Sequence, residues 1–391
     1  MNRKFAFVLI LFILTSCSFN KNSKIWNQKD NKFSSKENIK KISTDKESIQ
    51  KEFNAFVELD FSNLKIDNIN ENYNNNGSLE YLGLLKKIRS YKFSKFKNSN
   101  KLNLEPFFLD DGIIFFDKKG SIIKYNFNQK IIWKKNFYSK SEKKLKPKLS
   151  FAIKNEKLII ADSIAKIYQV NLNTGDLIWS KKNDYPLNSE IKILEDKFFL
   201  VDYQNTLRCF IIMDGSNCWN FKTEDSFTIS NQMNSIIIHK NNVIFNNSIG
   251  DVTSVDVFSG MINWQLPTQS SKIINQTYNF ETSKLVTDGK NIYFSNNKDQ
   301  FFSIDIETGI VNWINNISSS LTPILIKNYI VTVSKDGYLF FLQKNEGNII
   351  KINDTFSFYK KKHRKKIEPR GFVVGLDKLY LTNDDGKIIV I

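Results

Sequence analysis

The chain is poor in the side chains from which metal and redox sites are usually built. Its 391 residues contain three cysteines and only two histidines, His239 and His363, and no Cys-x-x-Cys pair. A zinc site needs several such ligands at close spacing, so a histidine-based metal site is not expected. The sequence likewise offers no convergent acidic set from which a bound cofactor can be predicted, and we predict none.

Arginine is also scarce, although the formal net charge is +17. Five of the 57 basic residues are arginine, which forms the better fork for phosphate groups. Abundant lysine beside abundant Asn, Ile and Phe is typical of an AT-rich genome. The charge therefore does not predict nucleic-acid binding, and contact with anionic lipid head groups is the alternative.

The apolar run near the amino terminus, Phe5 to Leu14, is only ten residues long. A membrane-spanning helix needs about 20 apolar residues, so this run is too short to cross a bilayer. Arg3 and Lys4 precede it, as in the positive region of a secretory signal. The pattern predicts export of the chain.

The run ends in Leu14-Thr15-Ser16-Cys17, which resembles the lipobox of bacterial lipoproteins. The resemblance implies that residues 1–16 are a signal peptide and that Cys17 is lipidated, with palmitate-type acylation of the new amino terminus. Several acyl chains anchor a protein essentially permanently. Ser18 after the cysteine implies the outer membrane. An ordinary signal peptide with a chance cysteine is the alternative.

Residues 17–77 are polar and low in complexity, with Asn, Lys and Ser dominant. Such a composition buries too little apolar surface to offset the entropy of ordering. We therefore predict a lipidated, flexible tether over 17–77 and a folded body over 78–391.

The body contains a repeat marked by tryptophan. Five of the six tryptophans are spaced 46, 40, 45 and 49 residues apart, and four of them have a glycine four residues earlier. A degenerate sixth copy has Gly347 and, in the tryptophan place, Lys351. The copies are Trp133 with no glycine, Gly175 with Trp179, Gly215 with Trp219, Gly260 with Trp264, and Gly309 with Trp313.

Seven short apolar strands accompany these copies, each followed by a polar turn and a second strand. They are Gly112–Phe116, Lys157–Ile160, Lys197–Val201, Asn242–Phe245, Asn291–Phe294, Tyr329–Val333 and Lys378–Leu381. Four short strands in about 40–50 residues is the period of a propeller blade. The sequence predicts an all-β propeller of four-stranded antiparallel blades, with seven blades visible. An eighth, degenerate blade within 79–104 is the alternative.

The repeat has a physical interpretation. The Thr/Ser-Gly dipeptide before Trp179, Trp264 and Trp313 is typical of a turn, and the indole supplies a large apolar plate suited to a joint between neighbouring sheets. The chain ends on the strand Lys387–Ile391, which would leave an open edge. We expect a segment before the first blade, either Tyr91–Phe96 or part of Leu79–Ile88, to supply the missing outer strand and close the ring.

The pattern from Asp305 to Trp313 resembles the PQQ-type propeller repeat, and the match runs over 103–391. With the lipobox, the chain resembles the BamB family, the B subunit of the outer-membrane β-barrel assembly machinery. Thr322–Ile326 also resembles an inner strand of that family. The resemblance implies an outer-membrane-anchored periplasmic lipoprotein that is a protein-binding scaffold and not an enzyme. Its implied partners are the BamA-like barrel-assembly protein and nascent outer-membrane proteins.

Two other functions remain as alternatives. One is an exported propeller that binds another envelope protein or ligand. The other is a PQQ-dependent dehydrogenase, because those enzymes share the repeat. Such enzymes carry an acidic calcium site and often two adjacent cysteines, and this sequence has no adjacent cysteines.

Two local features have two interpretations each. Cys209 and Cys218 flank a predicted turn at Met213–Ser216 and either form a disulfide or stay as buried thiols. The basic run Lys360–Lys366 either contacts lipid phosphates or is a solvated loop.

Overall fold

A computed structural model describes residues 52–54, 73–76, 91–93, 106–224, 233–268, 280–375 and 378–391. In these residues, 27 strands form seven antiparallel sheets, each made of strands that are consecutive in the chain. The sheets are the blades of a seven-bladed β-propeller, so the predicted fold class and the count of seven are confirmed. Two short helices lie between blades, α1 (Lys140–Lys144) and α2 (Lys361–Arg364).

The strands of the first four blades are β1 (Phe107–Leu109), β2 (Gly112–Phe116), β3 (Ile122–Asn126), β4 (Ile131–Lys135); β5 (Leu149–Lys154), β6 (Lys157–Asp162), β7 (Lys166–Asn171), β8 (Leu177–Lys182); β9 (Lys192–Leu194), β10 (Lys197–Val201), β11 (Thr206–Ile211), β12 (Asn217–Lys222); and β13 (Ile236–His239), β14 (Asn242–Asn246), β15 (Val252–Asp256), β16 (Ile262–Leu266). The remaining blades contain β17 (Val286–Thr287), β18 (Asn291–Asn296), β19 (Gln300–Asp305), β20 (Val311–Asn315); β21 (Ile324–Ile326), β22 (Tyr329–Val333), β23 (Tyr338–Gln343), β24 (Ile349–Asp354); and β25 (Pro369–Val374), β26 (Leu379–Asn383), β27 (Ile388–Val390).

Burial changes across each blade from the axis outward. First strands of neighbouring blades approach one another, as β5 and β13 do with β9 and as β17 does with β21, so the first strand of a blade is its innermost. The second strands are the seven apolar strands of the sequence, and all five residues of β2 are buried. The fourth strands are mostly exposed, as β8 illustrates. Apolar β-formers therefore occupy the middle of each blade, where both faces meet another sheet.

The turn between the second and third strands recurs in every blade. Asp117 Oδ1 accepts the backbone N–H groups of Lys119 and Ser121 at 2.9 and 3.0 Å, and Asp162 makes the equivalent pair of bonds. A side-chain oxygen thus replaces a backbone acceptor in the turn. Three residues after Asp117 the chain becomes left-handed at Gly120, and corresponding left-handed residues are Ala165, Asn205, Gly250, Asp299, Gly337 and Gly386.

Among the residues that the structure describes, the apolar core is divided into six layers, one between each pair of successive blades. The layer between the first and second blades contains Phe116 and Ile160, both fully buried. The layer between the sixth and seventh contains Val333 and Leu381. Because each layer needs side chains from two blades, a blade is stable only beside its neighbours.

The seventh blade has three strands within the described residues. The Phe93 ring packs 5.0 Å from Phe115 and 5.5 Å from Tyr125 on the first blade, measured between ring centroids. Phe115 and Tyr125 face away from Trp133, so Phe93 lies on the side of the first blade opposite the second. The other proposed closing segment, Leu79–Ile88, lies outside the described residues.

Two stretches of the region predicted as a tether contact the propeller. Glu52–Asn54 lies against β24, and Tyr73–Asn76 hydrogen-bonds to four inner segments of the ring. At these seven residues the propeller supplies hydrogen-bond partners to the segment, and the tether over 17–77 stays a prediction. Residues 17–51 and 55–72 lie outside the described residues.

Candidate functional site

The five repeat tryptophans lie at the joints between blades. Each indole N–H donates to a backbone carbonyl of the following blade, for example Trp133 Nε1 to Leu172 O at 3.0 Å and Trp313 Nε1 to Lys344 O at 3.0 Å. The same bond joins Trp179 to Ile212, Trp219 to Val257, and Trp264 to Ile306. The indole thus fills a gap between two sheets and satisfies its own polar group there.

The repeat glycines lie opposite these indoles. A Cβ on Gly175, whose φ is +74°, would lie 2.7 Å from ring atoms of Trp133 in the preceding blade. The following glycines meet the preceding indole in the same way: Gly215 meets Trp179, Gly260 meets Trp219, Gly309 meets Trp264, and Gly347 meets Trp313. Glycine is required both for the left-handed turn and for the close approach of backbone to ring. The Gly-Trp repeat is therefore structural in position.

The outer strands β4, β8, β12, β16, β20 and β24 form a surface that we call the rim. Aliphatic residues between the repeat glycine and the tryptophan point outward from it, and Leu177 and Ile178 are 46% and 49% exposed. Ile131, Ile132, Ile262 and Ile310 are exposed in the same way. In the part of the chain that the structure describes, no strand pairs with the outer side of β4, β8, β12, β16 or β20. An uncovered strand edge beside apolar side chains is a template for strand addition.

One rim strand carries such an addition. Phe53 and Ile352 of β24 exchange two backbone hydrogen bonds, each of 3.1 Å, as an antiparallel bridge. Asn54 Nδ2 donates to Ile350 O at 3.1 Å, and the Asp354 N–H donates to a carboxylate oxygen of Glu52 at 3.2 Å. This contact could not be predicted from the sequence, because the main component of the contact is backbone pairing, which leaves no pattern of side chains. The signal that was available is the recurrence of aliphatic residues just before the tryptophans.

The cysteines divide into two groups. Cys17, the predicted lipid attachment site, lies outside the described residues. Cys209 and Cys218 are free thiols in this structure. Cys209 faces Trp219 across the β11–β12 pair, and the register shifts between Cys209 and Phe210, next to the place where Cys218 would pair. Burial raises the pKa of the Cys209 thiol, with the neighbouring Cys218 contributing.

The basic run Lys360–Lys366 contains α2, and part of its charge is neutralised locally. Arg364 pairs with Asp354 at 2.6 Å, and His363 lies 2.9 Å from Asp385. Burial alone would lower the pKa of Arg364, but the bond to Asp354 raises it. These two side chains hold α2 against the sixth and seventh blades, which is a structural role.

Within residues 106–224, 233–268, 280–375 and 378–391, and the three short stretches before them, no group of three or more Cys, His, Asp or Glu side chains could hold a metal ion. No helix in the same described residues is long and apolar enough to cross a membrane.

Comparison with known proteins points to one family. The family model described as outer membrane protein assembly factor BamB matches residues 118–353, which is more than half of the chain. BamB from Moraxella catarrhalis superposes with a TM-score of 0.54 at 14% identity, over 75% of this chain and 97% of that one. The comparison with curated protein sequences found no match.

Two other solved structures show the same fold. The computationally designed Ika8 protein has a TM-score of 0.55 at 12% identity, over 73% of this chain and 82% of that one. The C-terminal WD40 domain of Sif2 has a TM-score of 0.52 at 9% identity, over 72% and 77%. At such identities a structural likeness supports the fold alone.

Proposed function

Because this chain belongs to the family of the outer membrane protein assembly factor BamB, we propose that it is a protein-binding scaffold in the assembly of outer-membrane β-barrel proteins. In this proposal Cys17 is the lipid attachment site, residues 1–16 are removed, and the propeller works in the periplasm at the outer membrane. Its partners are the BamA-like barrel-assembly protein and nascent outer-membrane proteins. The role is binding, and no catalytic residue is assigned.

The observation that carries the proposal is the strand bridge between Phe53 and Ile352 at the rim. Backbone pairing of this kind tolerates most side chains. An unfolded β-barrel protein contains many segments that form strands once it folds, and their sequences differ. A rim with exposed aliphatic residues adds apolar contact beside each edge. Such a surface suits transient binding of strands and loops rather than recognition of one small ligand.

The proposal is tested by recovering partners from detergent-solubilised envelopes with a tagged full-length chain. We expect the wild type to recover the barrel-assembly protein. The double variant Leu177→Lys/Ile178→Lys places two charges on the β8 edge and should recover at least about tenfold less. Leu145→Lys is the matched control, because Leu145 is 66% exposed at the end of α1 and belongs to none of the rim strands.

Two results would overturn this account. Recovery of an unrelated envelope protein in place of the barrel-assembly protein would favour the alternative of a propeller with another ligand. Equal recovery by the wild type and the Leu177→Lys/Ile178→Lys variant would show that the rim is not part of the interface.

Lipidation is tested separately by the loss of incorporated fatty acid in Cys17→Ser.

A further inference from the structure

Four residues of the amino-terminal region, Tyr73–Asn76, lie along the innermost strands of the ring. The N–H of Ile238 on β13 donates to Tyr73 O, and the N–H of Thr287 on β17 donates to Asn74 O, both at 3.0 Å. Asn76 exchanges two bonds of 2.9 and 3.1 Å with the backbone of Leu325 on β21. The segment therefore bonds to the first strands of three consecutive blades, the fourth to the sixth.

The side chain of Asn75 contacts a fourth blade and is buried. Its Nδ2 lies 3.0 to 3.1 Å from four acceptors, which are Glu190 Oε1, Ser235 Oγ, Ile236 O and Leu285 O. Its Oδ1 accepts a hydrogen bond from Lys192 Nζ. We call Glu190, Lys192, Ser235, Ile236 and Leu285 the axial pocket. The carboxamide there meets acceptors on its nitrogen side and an ammonium on its oxygen side.

Charge explains why the pocket favours a neutral amide. Glu190 lies 3.7 Å from the Lys192 ammonium and 3.6 Å from that of Lys284. Burial raises the pKa of Glu190, but the two lysines, the Ile236 N–H and Asn75 together outweigh it and lower the pKa to about 2. The carboxylate is thus ionised and accepts from the amide. A ligand carboxylate at the same place would face Glu190 and two carbonyl oxygens without donating to them.

The local backbone is also specific for the residue type. Asn75 has a φ of +57°, in the left-handed region that asparagine tolerates better than most side chains. Asn74 Oδ1 accepts the N–H of Asn76 at 2.9 Å and closes a tight turn around it. The turn thereby projects the Asn75 carboxamide into the axial pocket while its neighbours bond to the strands.

We propose that the axial pocket is a binding site for a primary carboxamide presented by a tight turn, and that its ligand is the chain's own Tyr73–Asn76 segment. The segment is a latch that fastens the amino-terminal region to the inner face of blades three to six. While it is bound, the axial pocket is closed to any other peptide of the same chemistry.

The test is amide hydrogen exchange on the full-length chain with Asn75→Asp. In the wild type the amides of Ile238, Thr287 and Leu325 should be protected by their bonds to the segment. In Asn75→Asp they should exchange at least about tenfold faster, because the carboxylate is repelled from Glu190. Asn128→Asp, on the exposed turn between β3 and β4, makes the same charge change elsewhere and should leave all three amides protected.

A second variant keeps the test decisive if Asn75→Asp disturbs the fold more widely. Asn75→Asp/Glu190→Gln removes the repulsion from Glu190 but leaves the new carboxylate facing the carbonyl oxygens of Ile236 and Leu285, so protection of the three amides should return in part. Continued protection in Asn75→Asp alone would overturn the proposal, and so would a double variant whose three amides exchange as fast as in Asn75→Asp.

Discussion

The rim and the axis of this propeller both bind pieces of the amino-terminal region, but they do so by different chemistry. At the rim, Glu52–Asn54 is held mainly by backbone pairing, and Phe53 remains 47% exposed. At the axis, Asn75 is 8% exposed and its side chain makes most of the bonds. The comparison shows how one fold can supply a sequence-tolerant surface on the outside and a sequence-specific pocket on the inside.

Both regions depend on the joints between blades, and Trp133→Ala should give the largest effect. Trp133 is 7% exposed, and its removal leaves a cavity and an unpaired Leu172 carbonyl. We expect a loss of about 3–5 kcal/mol of unfolding free energy. Chemical denaturation measures it. Lys351→Ala, at the tryptophan place of the sixth blade, should cost less than about 1 kcal/mol; a similar loss in both variants would show that the indole is not what holds the joints.

The axial pocket should make the stability of the propeller depend on pH. Glu190, facing Lys192 and Lys284, has a pKa lowered from 4.5 to about 2. A carboxyl group whose pKa is lowered by folding stabilises the folded chain at pH values above its pKa in the unfolded chain. This stabilisation is lost as the pH falls toward 2. The contribution is at most about 3 kcal/mol. Denaturation midpoints between pH 5 and pH 2 should fall less steeply in Glu190→Gln, and an unchanged slope would contradict this assignment.

The contact between a turn and an indole can be tested with two glycines, Gly175 in the turn before the rim strand β8 and Gly386 in the turn between β26 and β27. Gly175 and Gly386 both have a φ of +74°, but a Cβ on Gly175 would meet Trp133 at 2.7 Å, and one on Gly386 would have nothing within 4 Å. Gly386→Ala should cost about 1 kcal/mol, the conformational part alone. Gly175→Ala should cost at least about 1 kcal/mol more. Equal losses in thermal unfolding would mean that the indole moves aside freely.

The smallest effect is expected where the rim binds Phe53. Phe53→Ala keeps the backbone N–H that donates to Ile352 O, so it should leave the segment bound. Phe53→Pro removes that donor and should release it. Exchange of the Ile352 amide distinguishes the two variants, because this N–H donates to Phe53 O. Release by both variants would mean that the aromatic side chain, and not the backbone, holds the segment.

The rim and the axis also differ in how much of each could be predicted from the sequence. The blades were predictable because their signals are local: apolar strands such as Gly112–Phe116 and the Gly-Trp spacing fall within one repeat. A polar turn after each apolar strand was predicted too, and the structure has a left-handed residue in this turn in every blade. How the ring closes was harder to predict, because the seventh blade has no Gly-Trp copy.

The axial site was not predictable, because its partners are far apart in the chain. Asn75 bonds to Glu190 and Leu285, which are 115 and 210 residues away. The sequence around Asn75 is a run of similar asparagines, and composition alone favours disorder there. What distinguishes Asn75 from the neighbouring asparagines is that its carboxamide lies against Glu190 and Lys192.

The most direct test of the rim as a binding surface is photo-crosslinking in living cells, with a photoreactive residue in place of Ile178. We expect a crosslinked product that contains the barrel-assembly protein or an outer-membrane β-barrel protein in transit, absent when the same residue replaces Leu145. Identical products from both positions, or none from Ile178, would contradict a scaffold that works through its outer strands.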